Sequence, residues 1–148
     1  MDLHSSVDDL AKLMKGRDAV YFTAGSRGKD LLQTDAYGAV KTMQAAKKLG
    51  IERYIMLSSI FTLEPDKWHI DGLDQILDYT IAKYFANNFL VNQSDLKYTI
   101  LQPTNFTEEK GTGKISLDVT GVTSNPIPDV QRHWLKSSSM IILLVRLS

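Results

Sequence analysis

"TDAYGAVKTMQAAKKLGIERYIMLSS", residues 34 to 59, holds a helix, its stop and a strand in one run. The helical period starts just upstream and places Leu31, Leu32, Tyr37, Val40, Met43, Ala46 and Leu49 on a recurring apolar stripe. Gly50 follows as the stop, because helices often close on a left-handed residue and glycine adopts that conformation without a Cβ clash. "RYIMLSS" is then a short apolar run ending in two hydroxyl residues, which reads as a buried strand.

The same grammar extends both ways. Val7, Leu10, Ala11, Leu13 and Met14 predict a helix over Val7–Lys15, stopped by Gly16, and "DAVYFTAG" predicts a strand over Ala19–Thr23. Downstream come a loop with Pro65 and Trp68, a helix over Leu73–Asn92, and the strand "KYTILQP", stopped by Pro103. "KISLDV" alternates as a short strand would, and "SNPIPDV" reads as a turn-rich connection. Strand, helix, strand, helix, strand at this spacing means right-handed parallel crossovers. The expected class is α/β, a doubly wound parallel sheet with helices on both faces. Ligands of such sheets bind beyond the carboxyl ends of the strands, here "TAGSRG", "SSIF" and "QPTN".

Composition narrows the functions. The 148 residues fit one domain, and 17 basic residues balance 17 acidic ones, so no global field recruits nucleic acid or an anionic membrane. Without cysteine there is no disulfide, no thiolate catalysis and no cysteine-ligated zinc. His4, His69 and His133 lack metal-ligand spacing, and Lys47–Lys48 suits a helix C-terminus better than a nucleic-acid patch. "MDLHSSVDDL" has no basic start followed by an apolar run, and the longest apolar run, Met140–Val145, falls well short of the roughly 20 residues of a membrane span. The expected compartment is the cytoplasm.

Three strand-end features carry chemistry, and each has two readings. "AGSRGKD" is either a glycine turn or a ligand loop; it matches neither the dinucleotide fingerprint nor a Walker loop, and "GTGK" at 111–114 fails likewise. Ser58 and Ser59 either cap the strand or donate hydrogen bonds to a carbonyl. Tyr79 and Lys83, at i and i+4, share a helix face. They are either a half-buried tyrosine and a solvated lysine on an ordinary helix, or a pair in which the ammonium lowers the phenol pKa from about 10 and readies it for proton exchange.

Together, a glycine loop, "LSS", and Tyr-x-x-x-Lys about twenty residues later resemble the short-chain dehydrogenase/reductase superfamily, especially its atypical, NmrA-like branch. "TDAYGAVKTMQAAKKLGIERYIMLSS" is similar to that family's helix-and-strand block. "KYTILQPTNFTE" resembles a later strand that usually ends in Arg-Pro, with Gln102 in place of the arginine. "MDL" resembles the Asp-Leu that reaches the adenine. The resemblance implies a Rossmann-like domain over 1–128 that binds NADP or NAD and moves a hydride between nicotinamide and a small carbonyl or alcohol. It implies Tyr79 as proton donor or acceptor, Lys83 as its tuner and ribose ligand, and Ser59 as carbonyl polariser, with Ser58 beside it. It further implies Thr23, Ala24 and Gly25 lining the cofactor groove, Asp2 and Leu3 flanking the adenine, and Pro103, Thr104 and Asn105 near the nicotinamide.

Two departures shape the expectation. The strand, glycine-rich turn and helix that hold the pyrophosphate in the family have no counterpart here, so the chain reads as a fragment with weak or absent cofactor binding and impaired catalysis. The tail 129–148 diverges from the family, although "MIILLV" suits a buried edge strand. Without the family's first strand, residues 19–23 would present an open edge, a route to self-association. A non-catalytic NAD(P)-sensing regulator and a nonfunctional remnant are the alternatives.

Overall fold

The computed structural model describes residues 1–70, 72–114 and 121–136. "KISLDV" lies almost wholly, and "MIILLV" wholly, outside them. Three strands, β1 (Ala19–Phe22), β2 (Arg53–Leu57) and β3 (Lys97–Leu101), form a parallel sheet in that order. Ala19 pairs with Arg53, and Arg53 with Lys97. Among the described residues β1 pairs with β2 alone, so it is an edge strand there.

Alternation along the strands sorts the faces. Val20, Phe22, Tyr54 and Met56 join the main core, whereas Ala19, Tyr21 and Ile55 form a small separate cluster. Helices α1 (Val7–Met14), α2 (Tyr37–Leu49) and α3 (Leu77–Asn92) all contribute to the main core, through Leu10 and Met14, Met43 and Ala46, and Ala86 and Leu90. They therefore share one face. Crossovers of one hand that step across a sheet in one direction put their helices on the same side.

The local signals act as read. Ser6 caps α1 by accepting the Asp9 N–H at 3.2 Å. Gly50, at φ 70°, closes α2 and donates to the Ala46 and Lys47 carbonyls. Two helices differ from expectation at their starts. Residues Leu31–Ala36 form a π-helical segment before α2, and Leu73–Ile76 a 3-10 turn before α3. Beyond β3, β4 (Asn105–Thr107) and β5 (Ser124–Pro126) pair in parallel, and α4 (Ile127–Lys136) follows. The "SNPIPDV" stretch is thus a strand running into a helix. Pro128 falls in the first helical turn, where its missing N–H costs nothing. Helix α4 also runs across the boundary expected at 128/129.

Candidate active site

Because the strands are parallel, Thr23–Gly25, Ser58–Ser59 and Gln102–Pro103 leave the sheet at one edge. The last two are tied together: Ser58 N–H donates to the Leu101 carbonyl at 2.8 Å, and Ile60 N–H to that of Pro103 at 3.1 Å. Helix α3 delivers Tyr79 and Lys83 to this edge. Lys83 is 1% exposed. Its Nζ donates to the Ala24 carbonyl at 3.1 Å and lies 5.6 Å from the centre of the Tyr79 ring and 5.5 Å from that of Phe22.

The counter-charge is Asp35, a residue not singled out by sequence. Its Oδ1 lies 3.6 Å from Lys83 Nζ, and its Oδ2 accepts the Ser26 N–H at 2.9 Å. Asp35 is fully buried, and Oδ1 makes no hydrogen bond. A Cβ on Gly25 would stand 3.4 Å from that oxygen, in ordinary van der Waals contact. The π-helical segment that carries Asp35 turns it toward Lys83; such segments are rare and often mark functional positions.

The electrostatics differ from the sequence expectation. Burial pushes the Tyr79 phenol up to about 12, and the Asp35 carboxylate adds to the rise. Burial likewise pushes the Lys83 ammonium down, while Asp35 opposes that shift. The lysine does not lower the tyrosine here, because its charge is shared with a carboxylate and both groups sit in low dielectric. Tyr79 is therefore held protonated.

Behind the dyad is a neutral hydrogen-bond network. Asn87, one turn after Lys83 on α3, donates through Nδ2 to Ser58 Oγ and Thr62 Oγ1, each at 2.7 Å. Gln102 Nε2 donates to the same Thr62 oxygen at 2.7 Å, and Thr62 donates to the Ser59 carbonyl at 3.0 Å. The network fixes the turn that carries Ser59, and it gives Gln102 a defined place. Ser58 is buried with its hydroxyl engaged, whereas Ser59 is half-buried. The i, i+4, i+8 spacing of Tyr79, Lys83 and Asn87 on one face of α3 was the available signal for Asn87.

The remaining residues spread out. Thr23 and Gly25 are half-buried and Ala24 buried at the strand end. Thr104 is engaged by Asn125, whose Oδ1 accepts its N–H at 2.6 Å and its hydroxyl at 2.9 Å; Asn105 is exposed at the start of β4. Asp2 is exposed, and its Oδ1 accepts the His4 N–H at 2.9 Å. Leu3 is 1% exposed, its side chain taken up by the core. The N–H groups of Thr112 and Gly113 in "GTGK" both donate to the Asp129 carboxylate at 2.7 Å, so they are not open to a phosphate.

A cavity of about 590 Å³ adjoins the dyad, with Arg27, Gly28 and Leu31 on one side and Asp74 to Tyr79 on the other. Arg27 and Gly28 occupy the centre of a tight turn closed by Lys29 N–H to Ser26 carbonyl at 3.2 Å. Their φ values of 54° and 82° are both left-handed, as in a type I′ turn. For a residue with a Cβ, that conformation costs roughly 1–2 kcal/mol.

The donor set suits a nicotinamide ribose. Lys83 uses one of its three donors on a carbonyl, beside a phenol and a glycine that leaves room for close approach. A parallel sheet with these groups at its strand ends defines a Rossmann-like α/β domain. The NAD(P)H-binding family model matches residues 1–132, and the chain belongs to that family. This bears out the resemblance to atypical short-chain dehydrogenases/reductases. The chain is 36% identical over 119 residues to an uncharacterised sugar epimerase of Bacillus subtilis, YhfK, covering 78% of this chain and 53% of that one. It is 35% identical to a UPF0659 protein of Saccharomyces cerevisiae, covering 74% and 48%. The crystal structure of the oxidoreductase ylbE from Lactococcus lactis superposes with a TM-score of 0.88 at 44% identity, covering 93% of this chain and 63% of that one. The chain spans about half the length of the curated relatives it matches. No helix among the described residues is long and apolar enough to cross a membrane.

Proposed function

We propose that this chain carries the proton-transfer half of a cytoplasmic NAD(P)H-dependent oxidoreductase acting on a small carbonyl or alcohol. The carrying observation is the buried Lys83–Asp35 pair beside a protonated Tyr79 at the strand ends. Bound NADPH or NADH would supply the hydride. Tyr79 Oη–H would give its proton to the substrate oxygen as the carbonyl becomes an alcohol, and Ser59 Oγ–H would donate a hydrogen bond to that oxygen. Lys83 would hold the ribose, Thr23–Gly25 and Pro103–Asn105 would line the groove, and Asp2 and the Leu3 backbone would face the adenine. The "GTGK" amides are occupied by Asp129 and so offer no phosphate cradle, and we expect weak dinucleotide binding by the chain alone. The β1 edge, which has no second partner strand among the described residues, would favour self-association, readable on a sizing column.

A second reading, a non-catalytic dinucleotide sensor, draws on the high phenol pKa, which disfavours phenolate chemistry. NADPH and NADH titrations followed by turnover assays on a ketone and alcohol panel separate the two. Tyr79→Phe should lower turnover about 100-fold or more at unchanged dinucleotide affinity. Binding without turnover supports the sensor, and turnover that survives Tyr79→Phe removes the dyad from the mechanism. Neither binding nor turnover sinks both readings.

A further inference from the structure

We infer that Arg27 recognises an oxyanion, a carboxylate or a phosphate, on the substrate whose carbonyl or alcohol faces Tyr79. The cavity beside the dyad has walls of opposite charge: Arg27 on the turn after β1, and Asp74 and Asp78 where α3 begins. The three side chains are exposed, and no ion pair joins them.

The carboxylates have a structural use. Each lies in the first turn of its helical segment, where negative charge offsets the positive end of the helix. Arg27 has no such use. It occupies a left-handed position that normally takes asparagine, aspartate or glycine, and no described residue compensates for the strain. Nor is the turn loose. Its first residue, Ser26, is anchored by its N–H to the buried Asp35, the carboxylate that also pairs with Lys83. Arg27 is thus held on a fixed platform at the mouth of the cavity that Tyr79 lines.

The field across the cavity sets the ligand's direction. An anionic group is drawn to the guanidinium, which can bind two oxygens at once, and repelled by the two carboxylates. The neutral end is then left toward α3 and Tyr79. Tyr79 lines the same space, and on that ground the anion is assigned to the reacting molecule. Only this orientation rests on the dyad being catalytic; the binding of an oxyanion at Arg27 does not.

The test needs neither dinucleotide nor turnover, so its failure and that of the proposed function are distinguishable. The 15N-labelled chain is titrated with pyruvate, with inorganic phosphate, and with acetone as the neutral counterpart of pyruvate, while the Arg27 Nε–H resonance and, in wild type and variants alike, the backbone amides of Ser26, Gly28 and Leu31 are followed. Saturable shifts with pyruvate or phosphate, absent with acetone, are expected; the anion that saturates earlier identifies the group. Arg27→Gln should weaken that binding at least tenfold. Arg27→Gly should abolish it while raising the melting temperature, since glycine adopts the left-handed turn without strain. Equal shifts with acetone, no saturable shift with either anion, or anion binding retained in both variants would overturn the inference.

Discussion

At Lys83 the chain holds an ammonium ion where water does not reach, and Asp35 makes that arrangement tenable. Removing one member of a buried pair strands the other charge, which typically costs about 3–5 kcal/mol. Lys83→Met should therefore lower unfolding free energy by that amount in urea denaturation. The double variant Lys83→Met/Asp35→Asn removes both charges and should recover much of the loss. A double variant as unstable as the sum of its singles would show that the two do not interact. The pair also marks how far sequence reading reaches at this scale. Tyr79 and Lys83 were legible because residues four positions apart on a helix share a face. Asp35 was not, because its partner is set by tertiary packing and by the π-helical turn. Nor was the sense of the Tyr79 shift: spacing shows that a lysine is near, but not that a carboxylate beside it shares the charge.

Among elements, that π-helical turn is the feature that spacing concealed. Its apolar positions are the same ones an α-helix would use, so Leu31–Leu49 read as one helix. The crowding around Gly38 shows the difference. A Cβ there would stand 2.9 Å from the Gln33 carbonyl oxygen and 3.1 Å from Leu3 Cβ. In an ordinary exposed helix, alanine is favoured over glycine by about 1 kcal/mol. Here we expect Gly38→Ala to destabilise by roughly 1–3 kcal/mol, as overpacking does, because the nearest obstacle is backbone. Thermal melts of Gly38→Ala against wild type measure this, and a stabilised variant would show that the turn relaxes to α-helix at no cost. The three parallel strands and α1 to α3 were readable from apolar runs and glycine stops. Helix α4 was not, because Pro128 signals a turn unless it is known to stand in a first helical turn. The one-sided placement of α1–α3 also needed the order β1-β2-β3, which periodicity does not contain.

For the whole molecule, three tyrosines in the sheet and at its edge make alkaline pH the natural stress. Burial raises the phenol pKa of Tyr21, of Tyr54, which is fully buried against Thr42 at 2.7 Å, and of Tyr79, the last to about 12 from an ordinary 10. A phenol with a raised folded-state pKa binds protons that the unfolded chain has already released. Its stabilising contribution is complete below about pH 10 and is lost as pH climbs through the folded value. For Tyr79 that amounts to something on the order of 2 kcal/mol. Lys83 acts in the opposite sense: its pKa is lowered, so the unfolded chain binds the extra proton and stability rises with pH up to about 10.5. The two trends meet near pH 10, which predicts a shallow maximum there and a steep fall by pH 12. Urea midpoints at about one-unit pH intervals from 7 to 12, with tyrosinate absorbance followed in parallel, test this. The absorbance of the folded chain should lag that of the urea-unfolded chain. Tyr54→Phe removes an ionisation that the fold must resist, and so should flatten the alkaline fall even if it lowers stability at neutral pH. A midpoint that stays level from pH 10 to 12, or tyrosines that titrate alike in the folded and unfolded chains, would show that these phenols are not held out of water as the packing requires.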